Sequence, residues 1–277
     1  MALSILNNIP SLVAQNQLSI TQQGLQKTLF RLSSGSKINS GADDAAGLAI
    51  ADGLRANETA LTQSSQNASN GVGALQVADG ALAQVTTLLN RAVTLATEAA
   101  TGTVSSSQRT ALDSEFTQIK AEIDRIGNAT TFNGTSVFTA SATSIYLSDS
   151  SNVSASYNTI AVTVGTLTST GLAINSDTLG GNDGSAATTA LGHINSAIAT
   201  VASTRGSIGA GINRLQSAVN VINNQVQNLA SAEDGIRAAD IPSEVANLSR
   251  FTILNQSGIS ALAQANSAQQ SVLNLLR

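Results

Sequence analysis

The sequence has little charge and few of the residue types that carry chemistry. Only 11% of its 277 residues are charged, against about 25% in typical soluble proteins. It has no cysteine and no tryptophan, and its single histidine leaves few groups for catalysis. Disulfides and thiol chemistry are excluded. The formal net charge of −4 argues against a nucleic-acid partner, because such binding needs clustered lysine and arginine.

The sequence predicts neither a secretory signal peptide nor a membrane-spanning helix. The N-terminus shows neither a basic region nor a sustained apolar run, so we expect no cleaved signal peptide. We expect no membrane span, because no uninterrupted run of about 18 apolar residues occurs. Hydrophobic residues nevertheless reach 42%, which predicts a folded chain. A folded subunit with so few charges would be poorly soluble by itself. We therefore infer that other subunits cover much of its surface.

The clearest pattern present is a heptad seam in residues 191–236. Its apolar residues recur at alternating steps of four and three, the spacing by which one long helix packs against another. The positions that we predict to form an intrachain coiled-coil seam are Ile198, Val201, Ile208, Ile212, Leu215, Val219, Ile222, Val226 and Leu229. Only Arg205 and Glu233 interrupt it. A helix of this length would extend about 70 Å, which favours a rod over an ordinary globular core.

A second, weaker seam runs through residues 44–100 and is the expected partner of the first. The polar interruptions of this seam are Glu58, Ser65, Asp79 and Thr86. Ser105 to Gln108 reads as a capping box that begins a third helix, and Gly127-Asn128 predicts a left-handed cap at its end.

The period changes near residue 130. Asn133-Gly134 is the favoured pair for a tight hairpin turn, and short strands are predicted at 145–147 and 160–164. Residues 130–188 should therefore form a small hairpin and loop region on the outside of the molecule. The predicted fold is mainly α: a long coiled-coil bundle that pairs the two halves of the chain, with a small β-hairpin region in the middle.

Both ends of the chain are predicted to be helical and almost uncharged. Their polar faces carry mainly amides and hydroxyls, which suits a crowded and mostly buried setting. The last helix has two adjacent apolar stripes, so we expect it to have neighbours on two sides. We predict a terminal helical domain of residues 1–43 and 235–277, and a helical rod domain of residues 44–234 that includes the 130–188 region.

Four motifs match a known protein family. The longest is residues 31–51, reading RLSSGSKINSGADDAAGLAIA. The others are VANLSR at 245–250, LAQAN at 262–266 and VLNLLR at 272–277. With these motifs the chain resembles bacterial flagellin, and the likeness extends over about 1–138 and 188–277. The resemblance implies a structural subunit that self-assembles into the flagellar filament for motility. The nearest alternative is a hook–filament junction protein of the same family.

The resemblance also implies partners and a location. Family members are exported unfolded by the flagellar type III apparatus, so we expect an extracellular filament protein made without a cleaved signal peptide. The implied partners are further copies of the chain, an export chaperone on the last helix, the filament cap and the hook-junction proteins. We expect no cofactor.

Within a filament, the terminal helices would pair to form an inner tube. The residues expected to pack between subunits there are Leu18, Leu25, Leu29, Leu32, Leu254, Ile259, Leu262, Leu273 and Leu276. Burying about eight aliphatics per helix would yield roughly 12–24 kcal/mol, while ordering thirty-odd residues costs a comparable amount at about 1–2 kcal/mol each. We therefore predict that these helices are disordered in the monomer and fold on assembly.

A vertebrate flagellin-sensing Toll-like receptor is a further implied partner. Arg91, Leu95 and Glu115 match positions used in that contact, but Val93 and Thr94 replace a charged pair common in strongly stimulating members. Leu95 would serve equally well as a core residue, and Arg91 as a solvated one.

Other classes of function find less support in the residues. A zinc protease needs a His-Glu-x-x-His helix, which a chain with only His193 lacks. Asp43-Asp44 has no further oxygen ligands at calcium-loop spacing and suits helix capping better than metal binding. Ser and Thr crowd residues 139–190, so a glycan-decorated surface protein remains an alternative there. No enzymatic activity is expected.

Overall fold

The computed structural model describes residues 8–149 and 158–275, with side chains described as far as residue 271. The fold is mainly α, which confirms the predicted class. The helices are α1 (Ile9–Ser34), α2 (Ala45–Ala100), α3 (Ser106–Ala129), α4 (Ser185–Arg237) and α5 (Ile241–Leu275). The strands are β1 (Thr131–Phe132), β2 (Thr135–Ser136), β3 (Thr143–Tyr146) and β4 (Thr159–Val162).

The chain divides into two compact units. Residues 1–56 and 228–277 form what we call the terminal unit, and residues 57–227 form the central unit. The predicted domain limits at 43/44 and 234/235 were drawn at breaks in the helical pattern. These limits separate the predicted terminal domain from the predicted rod domain, and they stay a prediction.

In the terminal unit, α1 and α5 pack side by side in opposite directions. Asn8 caps α1 by accepting a hydrogen bond from the Ser11 amide at 3.1 Å, and Pro10 lies in the first turn, as the sequence predicts. The helix ends at Gly35, whose φ of 68° is the left-handed conformation that favours glycine.

Each of these two helices has one buried or half-buried side, whose residues recur at steps of three and four. On α1 this side consists of Ser11, Ala14, Leu18, Thr21, Leu25, Thr28 and Leu32. On α5 it consists of Glu244, Leu248, Phe251, Asn255, Gly258, Leu262, Ala265 and Gln269. The buried side of α5 thus takes members from both predicted stripes. The chain itself covers one side of the helix, and a neighbour on the second side stays a prediction.

A short crossing joins the two halves of the terminal unit. Ser36 and Ala238 form an antiparallel bridge, and the Lys37 amide donates to the Arg237 carbonyl at 2.7 Å. The predicted break at Asp234-Gly235 is wrong, because α4 continues to Arg237. A glycine inside a helix costs about 1 kcal/mol, and the bonds that this crossing makes to the last turn of α4 offset that loss.

The core of the central unit lies where α2, α3 and α4 face one another. Its fully buried large side chains include Leu82, Leu89, Phe116, Ile123 and Ile194. The predicted capping box begins α3: the Gln108 amide donates to the Ser105 hydroxyl, and the Ser105 amide donates to the Gln108 side chain. Each helix turns its apolar side inward, as heptad spacing requires.

The predicted left-handed cap at Gly127-Asn128 is wrong. The helix α3 runs on to Ala129 and ends at Thr130, which is in the extended conformation. Gly127 lies inside the helix, and a Cβ there would overlap the Leu167 carbonyl oxygen. Its role is close approach of another segment, a contact that the local sequence does not reveal.

The predicted hairpin at Asn133-Gly134 is confirmed, and the strands predicted at 145–147 and 160–164 are found at Thr143–Tyr146 and Thr159–Val162. Asn133 and Gly134, with φ of 50° and 76°, form the two-residue turn between β1 and β2. The strands β3 and β4 pair antiparallel, with Ile145 opposite Ile160. Buried Ile145 packs over Gly71 of α2, where no side chain obstructs it.

The loop that follows β4 is less exposed than the sequence predicts. We call residues 166–184 the strap. Its apolar residues Leu167, Leu172, Ile174 and Leu179 are buried in the core of the central unit. The expectation that 130–188 lies on the outside is therefore wrong for these four aliphatics, which pack on the helices, while more than half of the strap residues are exposed.

Side chains of α3 hold the strap along its length. Both carboxylate oxygens of Asp124 accept from Ser169, at 2.6 Å from its amide and 2.8 Å from its hydroxyl. Asp113 accepts from the Leu179 amide at 2.7 Å. Lys120 donates to the carbonyls of Asn175 and Asp177, and buried Arg109 donates to the Asn182 carbonyl at 3.1 Å.

Candidate functional site

The residues of the predicted seam lie on the inner side of α4. Val201, Ile208, Leu215 and Ile222 are buried, and the remaining five predicted seam residues are half-buried. This placement is compatible with the seam. Its role in holding the subunit together in a filament stays a prediction.

One polar interruption of the first seam pairs with one of the second. Arg205 of α4 donates two hydrogen bonds to the Asp79 carboxylate of α2, at 2.8 and 3.2 Å. The hydrogen bonds from Arg205 hold the pKa of Asp79 below its usual range. The sequence shows that Arg205 and Asp79 interrupt the two seams, but it does not show that they contact each other. Their opposite charges are the one feature of the sequence that could have predicted the contact.

The terminal unit exposes an unusual amount of apolar surface. Among the described residues, the exposed large hydrophobic side chains of this unit are Ile9, Leu12, Val13, Ile20, Leu29, Phe30, Ile50, Ile241, Val245, Ile253, Leu254 and Ile259. The central unit exposes Val77, Tyr146 and Val221. Large exposed apolar patches mark sites that bind another protein. We call the exposed apolar residues of α1 and α5 the terminal apolar face.

The structure sorts the predicted inner-tube residues into two groups. Half-buried on the facing sides of α1 and α5 are Leu18, Leu25, Leu32 and Leu262. Exposed on the terminal apolar face are Leu29, Leu254 and Ile259, at 47%, 45% and 51%. The side chain of Leu273 and all of Leu276 lie outside the described residues. Sequence reasoning missed Ile20 and Ile253, because these two residues lie outside the heptad stripes that it followed.

The charge of the chain is divided unevenly between the two units. The terminal unit has seven basic and seven acidic side chains, so its formal charge is zero. The central unit, with six basic and ten acidic side chains, carries the whole net charge of −4. Copies of the terminal unit can therefore approach one another without net repulsion.

The charges of the terminal unit form a cluster around the 31–51 motif. Asp43 accepts an ion pair from Lys27 at 2.6 Å, and Arg31 pairs with Glu244 of α5 at 3.2 Å. The hydrogen bond from Lys27, with further bonds from Asn39 and Ser40, lowers the pKa of Asp43 to about 2. The cluster ties α1, the following turn and α5 together.

Asp44, next in the sequence, has a different partner. Its carboxylate accepts from the amides of Ala46 and Gly47, at 3.1 and 2.9 Å, and so caps α2. Both acidic residues thus serve structural roles. No group of three or more metal-ligating side chains occurs in the parts of the chain that the structure describes.

The residues predicted to meet the receptor lie together on α2 and α3. Arg91 donates two hydrogen bonds to the Glu115 carboxylate at 2.7 and 3.0 Å, which lowers the pKa of Glu115. Both side chains are about half exposed, whereas Leu95 is fully buried. A partner would reach the ion pair but not the Leu95 side chain in this conformation.

Two further features of the central unit are the contact of its histidine and a cavity beside the hairpins. His193 pairs with Asp177 of the strap at 2.9 Å, and the pair fastens the strap to α4. A cavity of about 540 Å³ lies between the two hairpins and α2, near Gly71, Phe132 and Ile145, but no ionisable side chain lines it.

Among the helices that the structure describes, one is long and apolar enough, by length and composition alone, to cross a membrane. This helix is α2, with a mean hydropathy of 1.2 over 18 residues. Core helices of proteins outside membranes pass the same test, and α2 buries Leu82, Val85 and Leu89 in the central unit. The absence of a membrane partner stays a prediction.

Comparison with known proteins agrees with the motifs. The family model for the bacterial flagellin N-terminal helical region matches residues 5–143, and the model for the C-terminal helical region matches residues 191–276. The flagellar filament 33 kDa core protein of Treponema phagedenis is 34% identical over 98% of this chain and 99% of its own. A flagellin of Halalkalibacterium halodurans is 34% identical over 98% of each chain.

A solved structure is also similar. The crystal structure of Bacillus cereus flagellin shares 29% identity, with a TM-score of 0.49 over 61% of this chain and 94% of that one. The family assignment depends on the sequence matches, which cover both helical ends in the right order. The chain therefore belongs to the bacterial flagellin family.

Proposed function

We propose that the protein is a subunit of the flagellar filament and that the terminal apolar face is the surface by which one copy joins the next. As a flagellin it is a structural protein and not an enzyme. The observation that carries the proposal is the concentration of exposed large hydrophobic side chains on a unit whose formal charge is zero. Burying such a face between copies removes apolar area from water, the main driving force of protein association.

The inner-tube assignment follows from the same surface. We infer that Leu18, Leu25, Leu32 and Leu262 help pair α1 with α5 within a subunit. Exposed Leu29, Leu254 and Ile259, together with Ile20 and Ile253, would then pack between subunits. This division refines the prediction from sequence, because half-buried side chains have less area left to give to a neighbour.

Seeded elongation of purified protein tests the proposal. Replacing Ile20 or Ile253 with Ser removes exposed apolar area without opening a cavity, so helical content should be unchanged. Loss of contact on every copy should slow elongation at least tenfold, measured by light scattering and electron microscopy. Val221→Ser is the matched control, since Val221 is 56% exposed in the central unit, against 61% for Ile20. Normal elongation of both isoleucine variants would exclude the terminal apolar face as the joining surface.

The same micrographs separate the filament subunit from the hook–filament junction protein. A filament subunit should grow long polymers from seeds, whereas a junction protein should give short polymers or none. Location outside the cell, export by the flagellar type III apparatus without a cleaved signal, and binding of a chaperone and a filament cap are proposed from family membership. N-terminal sequencing of native filaments tests the lack of cleavage.

Recognition by the vertebrate receptor is proposed only through the exposed Arg91–Glu115 pair. Substituting either residue by Ala should reduce signalling in receptor-reporter cells if the pair forms the contact. A response that both substitutions leave unchanged would exclude it.

A further inference from the structure

The pairing of α1 with α5 places one glycine of each helix under a large apolar side chain of the other. Gly24 is the sole glycine of α1, and Gly258 is the sole glycine of α5. A Cβ at position 24 would lie 2.6 Å from Cε1 of Phe251, and a Cβ at position 258 would lie 3.2 Å from Cδ1 of Leu18. Each helix therefore places one large side chain over the space left by the other helix's glycine. We call each such space a notch.

The heptad spacing of the other buried residues does not by itself define the alignment. The buried sides of both helices repeat every seven residues, so a slide by one heptad, about 10 Å, would again bring buried side against buried side. After such a slide, Phe251 would lie opposite Gln17 or Arg31 instead of Gly24. Either side chain would have to move out of the space that Gly24 leaves free for the aromatic ring.

The contacts at both ends of the pair agree with a single alignment. Near the start of α1, the Asn8 side chain donates to the Ala265 carbonyl at 3.3 Å. Near its end, Arg31 pairs with Glu244. The Asn8 contact is partly exposed, but the Glu244 side chain is only 11% exposed, so breaking its ion pair with Arg31 would also oppose a slide.

We propose that the pairs Gly24–Phe251 and Leu18–Gly258 form a register lock. The lock fixes α1 against α5 and so aligns the exposed side chains of the two helices into the one surface that receives the next copy. A heptad slide would keep each helix intact but would offset its half of the terminal apolar face. The inference rests on the proposed function, because the alignment affects assembly only if that face joins subunits.

Engineered cysteine pairs can report the register, because the chain has no cysteine of its own. The Asn8 and Asn266 side chains lie 3.5 Å apart, so Asn8→Cys with Asn266→Cys should form an intramolecular disulfide in the native alignment. Asn8→Cys with Ile259→Cys should form one only after a heptad slide. In the otherwise unchanged chain we expect the first disulfide and not the second. It should form in seeded filaments, and more slowly in free subunits, where oxidation traps the fraction of molecules whose terminal helices are paired at a given moment.

Adding a methyl group to the notch should change this result. In a Gly24→Ala background we expect the native disulfide yield to fall several-fold, the slipped disulfide to appear, and elongation to slow at least tenfold. A second change, Phe251→Leu, should restore both readouts by shortening the side chain over the notch. Gly53→Ala is the control, because nothing lies within 4 Å of a Cβ at that helical position of the terminal unit.

The outcomes separate the two proposals. Unchanged disulfide yields and elongation in Gly24→Ala would overturn the register lock. If Gly24→Ala loses helical content, the two disulfide yields are measured instead in Gly258→Ala, where the added Cβ is less crowded. A chain with the native disulfide that never elongates from seeds would overturn the proposed function, while the measured alignment of α1 and α5 would stand.

Discussion

At the scale of single residues, several glycines act through what approaches them and not through their backbone conformation. Gly127 is helical, and its missing side chain admits the Leu167 carbonyl of the strap. Gly71 admits Ile145 of β3 in the same way. Glycine weakens a helix by about 1 kcal/mol relative to alanine, so at these positions the close contact must offset the loss.

Gly127→Ala should therefore destabilise the central unit in spite of alanine's better helix propensity. The added Cβ has to displace the strap backbone, and overpacking of this kind costs typically about 1–3 kcal/mol. Chemical denaturation followed by circular dichroism measures the change. Gly80→Ala is the control, because open space surrounds that position on α2. It should be neutral or stabilising by up to about 1 kcal/mol.

Asp43 should make the terminal unit sensitive to acid. The bonds from Lys27 and its neighbours lower the pKa of this carboxyl from 3.8 to about 2 in the folded chain. A lowered folded-state pKa means that ionised Asp43 stabilises the fold above pH 4, and that this contribution disappears as the pH falls from about 4 to about 2. Carboxyl NMR titration checks the pKa. Asp43→Asn should flatten the pH dependence of stability in this window, and an unchanged dependence would contradict the assignment.

At the scale of elements, the strap shows how one helix can order a loop that has almost no regular structure. Charged side chains of α3 bond the strap backbone at successive turns, and its four buried aliphatics complete the core. The strap is therefore held through both its polar and its apolar residues, although more than half of its residues are exposed.

Asp124→Ala should loosen the strap. It leaves the Ser169 amide without its acceptor and the hydroxyl with only Asn175 Oδ1 at 3.3 Å, and hydrogen bonds to a charged group contribute about 1.5–3 kcal/mol. We expect faster amide exchange and faster proteolysis between residues 166 and 184. Glu122→Ala, which removes only an exposed pair with Arg125, should leave the strap protected. Equal protection in the two variants would show that the aliphatics alone hold the strap.

At the scale of the whole molecule, the two units differ in how much of their apolar surface each buries within itself. The central unit buries its apolar residues in one core, whereas the terminal unit leaves many of its largest apolar side chains exposed. Both α1 and α5 are formed and paired in the structure. Each has one half-buried side, which limits what pairing contributes against the entropy of ordering the chain.

Amide exchange on dilute monomer and on filaments should show this difference. We expect residues 9–33 and 250–271 to exchange rapidly in the monomer and to become protected in filaments, while the core of the central unit is protected in both. Strong protection of the terminal helices in the dilute monomer would contradict the prediction that they fold on assembly. The central unit serves as the internal control in each sample.

The sequence by itself determined the mainly helical fold, the capping box of α3, the Asn133-Gly134 hairpin and the family. Each of these depends on local spacing or local backbone chemistry. Only the tertiary structure decided which side of α1 and α5 is covered, that Arg205 meets Asp79, that α3 fastens the strap, and that Gly24 and Gly127 are notches. These features depend on which distant residues come together, and a heptad pattern fits several alignments equally well until side-chain volume and charge select one.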